Sequence, residues 1–346
     1  MNTRQPVTIV GGGLAGLTLG IALRRRDVPV TLWEAGHYPR HRVCGEFICG
    51  RGRSTLAALG LDEILSQAGA REATTAAFFA GKTAGPVHLL PEPALCLSRF
   101  ALDATLAGHF RSSGGELHEG KRWSDALRQD GVVQATGRRP QAKPEGWRWF
   151  GLKAHARNVE LSADLEVHLS PNGYIGLCRL ADGIVNVCGL FRRRDEAGAL
   201  PPRTDMLRGA PGSALHEQLA GAEFVVDSIC AVGGLDLRPY HDRDAVGCRI
   251  GDALTMIPPF TGNGMSMSIE AAELAAEPLE QWSRGAASWS ESRGSIASGC
   301  GATFRQRLTW ANRLHSLMFI APLQPVLAAW LPQSTSCWNF LFSHTR

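Results

Sequence analysis

The chain opens on a β-branched run, Val7-Thr8-Ile9-Val10, turns through Gly11-Gly12-Gly13-Leu14-Ala15-Gly16 and stays apolar to Leu23. A short apolar run stopped by glycines predicts a buried strand, and the apolar stretch behind it a helix over 14–25. Val30-Thr31-Leu32-Trp33 predicts a second, parallel strand closed by Glu34. The pattern then predicts helices over 51–58 and 61–68 and strands over 74–80 and 86–90. A helix over 99–111 starts at the N-cap Ser98, and a buried strand covers 132–135. From Trp147 the texture changes. Alternating segments at 147–153, 165–169, 173–180 and 184–190, parted by Pro171-Asn172-Gly173 and Ala181-Asp182-Gly183, predict an antiparallel sheet. The stretch 192–211 is polar, and 224–231 returns as a strand. A strand over 246–250, a proline-bearing loop and a helix over 265–277 follow. Beyond Pro278 the pattern is helical to the end, with Trp282, Trp289, Trp310, Trp330 and Trp338 expected to pack a helical cap.

Gly11, Gly13 and Gly16 have the G-x-G-x-x-G spacing that a pyrophosphate requires. The first makes the turn, the second removes the side chain that would block the phosphate, and the third lets the helix pack close. Free amides near Leu14 and Ala15 then face the diphosphate at the positive end of the helix. Glu34, 18 residues beyond Gly16, stands where a carboxylate accepts ribose hydroxyls. These residues predict a dinucleotide site. The stretch Ala245–Pro278 repeats the device, with the acid Asp252 after a strand and Gly262-Asn263-Gly264 leading into a helix at Met265. Its N-terminus can hold negative charge building on a ligand. NAD needs no such second site; a flavin, with its ribityl chain and N1–C2=O2 edge, does. In the loop Gly36–Phe47, Arg40 and Arg42 either neutralise a diphosphate or form a solvated basic surface.

The expected fold is α/β: a Rossmann-like FAD-binding domain with an interposed antiparallel substrate sheet and a C-terminal helical segment. The FAD-binding domain is expected to be discontinuous (1–72, 94–145 and 223–281), the sheet to use 73–93 and 146–222, and the helical segment 282–346. Apolar content of 44% and charged content of 20% are those of a soluble globular chain. A net charge of +4 without a long basic run argues against a nucleic-acid partner. The nine cysteines are scattered without a C-x-x-C pair, which argues against a disulfide framework or metal site and for a reducing compartment. Met1–Pro6 leaves no room for a leader before the first strand, and no apolar stretch reaches membrane-spanning length, so a cytoplasmic location is expected.

Taken together, these motifs resemble the FAD-dependent oxidoreductases of the para-hydroxybenzoate hydroxylase and geranylgeranyl reductase superfamily. Val10–Gly16 with Glu34 resembles the ADP-binding segment, and Ser98-Arg99 with Leu102-Asp103 and Leu106 is similar to the S-R-x-x-L-D-x-x-L helix, which implies Arg99 at the cofactor. Arg249–Ala253 and Pro258–Met265 look like the G-D motif and flavin-ring loop. The resemblance implies that Gly251 and Asp252 bind the ribityl chain, that Pro259, Gly262 and Asn263 shape the ring loop, and that the amides of Gly264 and Met265 face the pyrimidine edge. Arg42-Val43-Cys44-Gly45-Glu46-Phe47 is similar to the R-x-C-G segment of geranylgeranyl reductase-like dehydrogenases, as are Gly173–Gly176 and Asn186–Leu190 to their sheet. That implies Arg42 at the cofactor and Cys44 and Glu46 near the active face as catalytic candidates. The other readings are that Cys44 is a small buried hydrophobe and Glu46 a cap for the helix that follows. His155 and Tyr174 are pocket candidates.

Two departures stand out. The usual middle D-G motif is Ala135-Thr136-Gly137, without the acid, and Leu117–Gly131 is short for the small sheet found there. The W-x-W-x-I-P signature of flavin-dependent halogenases is absent, since Trp147-Arg148-Trp149-Phe150 lies elsewhere and lacks the proline. The expected activity is FAD-dependent dehydrogenation or reduction of an apolar small metabolite, lipid- or carrier-linked, with NAD(P)H as a possible electron donor. The alternatives are an FAD- and NAD(P)H-dependent monooxygenase and a non-catalytic flavin-binding protein. Peripheral membrane contact and oligomeric state stay open.

Overall fold

The computed structural model describes residues 4–124, 129–138, 146–194, 202–237, 247–330 and 335–345. Val246, residues 195–201 of the polar stretch and the Trp330 side chain lie outside the described residues. The strands of the first half are β1 Val7–Val10, β2 Val30–Glu34, β3 Phe47–Ile48, β4 Arg71–Ala80, β5 Thr83–Ala84, β6 His88–Cys96, β7 Glu116–Glu119 and β8 Val132–Gln134. They continue with β9 Trp147–Arg157, β10 Leu165–Ser170, β11 Gly173–Arg179, β12 Val185–Arg194, β13 Glu223–Gly233 and β14 Cys248–Arg249. The helices are α1 Leu14–Arg24, α2 Arg51–Ala58, α3 Asp62–Gln67, α4 Arg99–Ser112, α5 Arg203–Leu207 and α6 Ala214–Gln218. After them come α7 Gly264–Ser283, α8 Trp289–Met318, α9 Gln324–Trp330 and α10 Thr335–His344.

One sheet, in the order β14-β8-β1-β2-β7, is parallel throughout. Its inner strands β1 and β8 are largely buried, as continuous apolar runs require, whereas the edge strand β7 is half-exposed, and α1 and α7 pack against each other beside it. The main core gathers Val7, Ile9, Leu17, Ile21, Leu32, Val133, Ile250, Ile269 and Leu279. The second sheet has nine strands, in the order β13-β9-β12-β11-β10-β4-β6-β3 with β5 on β4. It is antiparallel except where β10 runs parallel to β4. Side chains alternate across it. Leu152, Ala154 and Ala156 of β9 join Ile175, Val187, Leu207 and Leu215 in one core, whereas Lys153 and His155 turn to the opposite face and reach Glu46.

Four elements differ from expectation. β6 runs on to Cys96 through Pro91 and Pro93, because its pairing with β4 is interrupted between Leu89 and Ala94 and β3 covers its other edge only at Leu95 and Cys96, so neither missing N–H breaks a ladder. β13, expected among the nucleotide-binding segments, is the edge of the second sheet, paired with β9 around a bulge. α7 continues through Pro278 to Ser283. An interior proline costs a helix about 3 kcal/mol; here Leu279 and Trp282, both buried, offset it. Trp282 and Trp289, 5.1 Å apart between ring centroids, belong to the main core and not to a separate cap. The short stretch after Leu117 begins in β7, the edge of the parallel sheet.

Candidate functional site

The first strand–turn–helix junction divides the glycine roles as the spacing requires. A Cβ on Gly11 would lie 2.3 Å from the Ala135 carbonyl oxygen, and one on Gly16 2.0 Å from that of Gly11, whereas one on Gly13 meets nothing within 4 Å. That space lies before an uncapped helix. Gly13 offers no side-chain cap, no acid occupies the first turn, and the first amide bonded within the helix is that of Leu17, to Gly13. The amides of Leu14, Ala15 and Gly16 are left for an anion. Glu34 is buried and already engaged. Its oxygens accept from the amides of Gly12 (2.9 Å) and Gly36 (2.8 Å) and from Arg40 (2.6 Å). Burial alone would raise its pKa, but these donors together with Arg42 hold it below the ordinary value. The carboxylate expected to take ribose hydroxyls thus shapes its own loop as well. Tyr38 donates to the Gly12 carbonyl across the turn.

The second junction meets the first. Gly251, at φ 60°, lies so close that a Cβ there would be 2.9 Å from Cβ of Ala15. Asp252 has no hydrogen-bond partner among the described residues. Burial pushes its carboxyl up to about 6 against the pull of Arg99 and Arg138. α7 starts without a side-chain cap at Asn263 or an acid in its first turn, and its first bonded amide is that of Met267. The amides of Gly264 and Met265 are therefore free within the helix. Pro259 opens the turn Pro259–Thr261, and Gly262, at φ 68°, reverses the chain where a Cβ would strike the Phe47 ring. α4 and α8, by contrast, are closed by Ser98 and Ser288.

Between the junctions lies a charged seam. Asp103, fully buried, accepts two bonds from Arg99, both at 2.8 Å, and one from Arg42 at 3.0 Å. The arginines read as diphosphate ligands are thus paired internally, Arg40 to Glu34 and Arg42 to Asp103. Beside them the loop carries Glu46 into the face of the second sheet, at φ 62°. Glu46 and Lys153 are both completely buried, 3.1 Å apart. The other Glu46 oxygen is 2.7 Å from His155 Nε2, and the Arg99 amide donates to Glu46 at 2.9 Å. Burial would raise the Glu46 pKa, but His155, Lys153 and that amide hold it below the ordinary value. Glu46 does cap a helix, but it is α4 and not the helix that follows it. Lys153 also lies 3.1 Å from His41 Nδ1. Donor atoms of His41, Glu46 and His155 fall within 4.8 Å of one another, as metal ligands do; the Lys153 ammonium fills that position.

Cys44 is half-buried, and burial pushes its thiol up, so it is a neutral thiol at neutral pH. Its carbonyl accepts from Asn186 Nδ2 at 2.9 Å. Asn186 Oδ1 and Tyr174 Oη are buried without partners among the described residues, and the Tyr174 ring stands edge-on to Phe260 of the ring loop at 5.7 Å. Lys153, Asn186 and Arg138 were not singled out from the sequence. For Lys153 the signal was present: a lysine and a histidine alternating with Leu152 and Ala154 in one strand.

The family described as NAD(P)-binding Rossmann-like domain matches residues 9–55. No curated protein matches the chain. Among solved structures, the flavin-dependent brominase Bmp2 superposes with a TM-score of 0.79 at 16% identity, over 98% of this chain and 92% of that one. A flavoprotein/dehydrogenase from Cytophaga hutchinsonii gives 0.69 at 16%, over 98% and 96%. PqsL of P. aeruginosa, in complex with 2-aminobenzoylacetate, gives 0.68 at 14%, over 93% and 98%. With its parallel nucleotide-binding sheet, curled mixed sheet and trailing helices, the chain has the fold that these flavin-dependent monooxygenases and halogenases share.

Proposed function

We propose that the protein is an FAD-dependent oxidoreductase acting on an apolar small metabolite, with NAD(P)H as electron donor. The observation that carries this reading is the meeting of two uncapped helix starts, at Gly13 and Gly264, through the contact of Gly251 with Ala15. The amides of Leu14, Ala15 and Gly16 would hold the diphosphate, with Gly11 and Gly13 leaving it room. Glu34 would take the ribose, and Asp252, which has no hydrogen-bond partner among the described residues, the ribityl hydroxyls. The amides of Gly264 and Met265, framed by Pro259, Gly262 and Asn263, would stabilise negative charge on the ring. Bound there, the flavin supplies the hydride or oxygen chemistry. Cys44 and Glu46 are proposed at its active face, with Arg42 and Arg99 beside it. The R-x-C-G segment supports the dehydrogenase or reductase form related to geranylgeranyl reductases. The likeness to PqsL, described as a probable FAD-dependent monooxygenase from Pseudomonas aeruginosa, favours hydroxylation as the second reading.

An absorption spectrum of the purified protein, followed by anaerobic titration with NADPH, tests the proposal. Flavin bands that bleach on titration are expected. A protein that takes up no FAD, or whose FAD no donor reduces, would contradict it. Oxygen consumed with hydroxylation would decide for the second reading, and oxygen-independent turnover for the first.

A further inference from the structure

The nucleotide site leaves the apolar stretch at the end of α8 and through α9 without a role. From Leu317 to Trp330 the sequence carries a single polar side chain, Gln324. That side chain points inward: it is buried, and its amide donates to the carbonyls of Met318 at 2.7 Å and Ser170 at 2.8 Å. Ala328, one turn further along α9, is buried as well, its carbonyl oxygen so close to Gly85 that a Cβ there would be 2.2 Å away. With positions 324 and 328 turned in, Val326 between them faces outward. Leu317, Ile320, Leu323 and Val326 are 41%, 44%, 37% and 51% exposed. The segment is thus pinned by its inner side while its outer side is apolar, an arrangement that a free monomer surface rarely shows over neighbouring residues.

The charges around it have one sign. All 32 acids of the chain lie before Ser292, and residues 292–346 carry five arginines and no acid. Arg307 is used inside, paired with Glu270 at 2.8 Å. Arg305 and Arg313 are exposed and meet no carboxylate among the described residues. They share with Leu317 one row of α8, in steps of four residues. Arg313 lies over the Trp310 ring at 5.5 Å, and that ring stands edge-on to Phe340 of α10, itself exposed, at 5.4 Å. On the other side Arg192 lies over the ring of Phe319, the neighbour of Ile320, at 4.4 Å. Cations and aromatic rings therefore border the apolar segment.

We propose that this surface docks on the anionic face of a lipid bilayer, with Leu317, Ile320, Leu323 and Val326 at the boundary of headgroups and acyl chains and Arg305 and Arg313 at the lipid phosphates. Charge selects the occupant: exposed cations without acids complement an anionic surface. A protein partner would ask for about one hydrogen bond per 100–200 Å² of interface, and from Leu317 to Val326 no exposed side chain can make one. The contact lies on the membrane and does not cross it, since no helix among the described residues is long and apolar enough to span one. The inference stands apart from the flavin reading.

Co-sedimentation of the full chain with vesicles tests it, using phosphatidylcholine alone and an equal mixture of phosphatidylcholine and phosphatidylglycerol. The wild type is expected to bind the mixed vesicles roughly tenfold tighter than the neutral ones, and to be released by salt. Ile320→Glu combined with Val326→Glu changes two exposed positions, so the melting temperature should hold while binding to either vesicle is lost. Arg305→Gln combined with Arg313→Gln should weaken binding to the mixed vesicles about tenfold and leave binding to the neutral ones unchanged. A wild type that stays in solution with both vesicles overturns the inference, as does a double glutamate variant that still sediments with them. Sedimentation velocity without lipid covers the rival occupant: a dimer that the glutamates separate would put a second copy of the chain on this face and overturn the inference too. FAD content, read from the same samples, keeps the two proposals apart, because protein without flavin that still binds the mixed vesicles sinks only the flavin reading.

Discussion

Glu34 ends β2 and Asp252 follows β14, each an acid at the carboxyl end of a strand of the parallel sheet, yet their surroundings are opposite. Glu34 has four donors around it and is held ionised. Asp252 has none among the described residues, and burial pushes its carboxyl up to about 6. A buried carboxylate surrounded by its own chain's donors organises a loop; a half-buried one without such donors is left for water or a ligand to satisfy. The first junction is thus organised by the chain itself, whereas the second is the one that the proposed cofactor would complete.

The largest effect expected from breaking this comparison comes from Gly13→Val. The added side chain enters space that no protein atom fills, so the variant should fold with a wild-type melting temperature and lose FAD affinity by a hundredfold or more. Equilibrium titration with FAD, monitored by flavin fluorescence, measures it. Asp252→Ala should come next, folding normally and losing flavin at least tenfold. Full occupancy in either would mean that the site is elsewhere.

Stability distinguishes the two acids more finely. Glu34→Gln weakens a buried charged pair with Arg40 and should destabilise the protein by about 1–3 kcal/mol, read from urea unfolding. Asp252→Asn should do the reverse without FAD, stabilising by about 1–2 kcal/mol at pH 7. The sign follows from the proton: the folded Asp252 holds it more tightly than the unfolded chain does. That contribution is full below the unfolded value of 3.8 and is lost as pH rises through about 6. Stability of the wild type without FAD should therefore decline across that interval, and the asparagine variant should flatten the decline. Glu34 contributes in the opposite sense, its share being lost as pH falls below its ordinary range.

Much of the nucleotide-binding half could be read directly because its signals are local. The strand, the glycines and the helix behind them lie within 30 residues, and Gly16 answers to a contact with Gly11 inside the same turn. The second junction was equally legible, down to Asp252 and the start at Met265, which the structure places one residue earlier. Proline misled twice, at Pro91 and Pro278, because its penalty depends on whether an edge is open or a core is near, and neither is a property of the local sequence. The cluster of Glu46, Lys153, His155 and His41 was hidden for a different reason. Its members come from two segments over a hundred residues apart, and only the register of β9 brings Lys153 rather than Leu152 to face the loop.

The measurement that bears most directly on the account is a crystal structure of the protein soaked with FAD. One extended molecule is expected, its diphosphate on the amides of Leu14 and Ala15, its ribityl hydroxyls on Asp252 and its ring against Gly264 and Met265. A nucleotide held only at Gly11–Gly16, with Asp252 still without a partner and nothing at the start of α7, would contradict it.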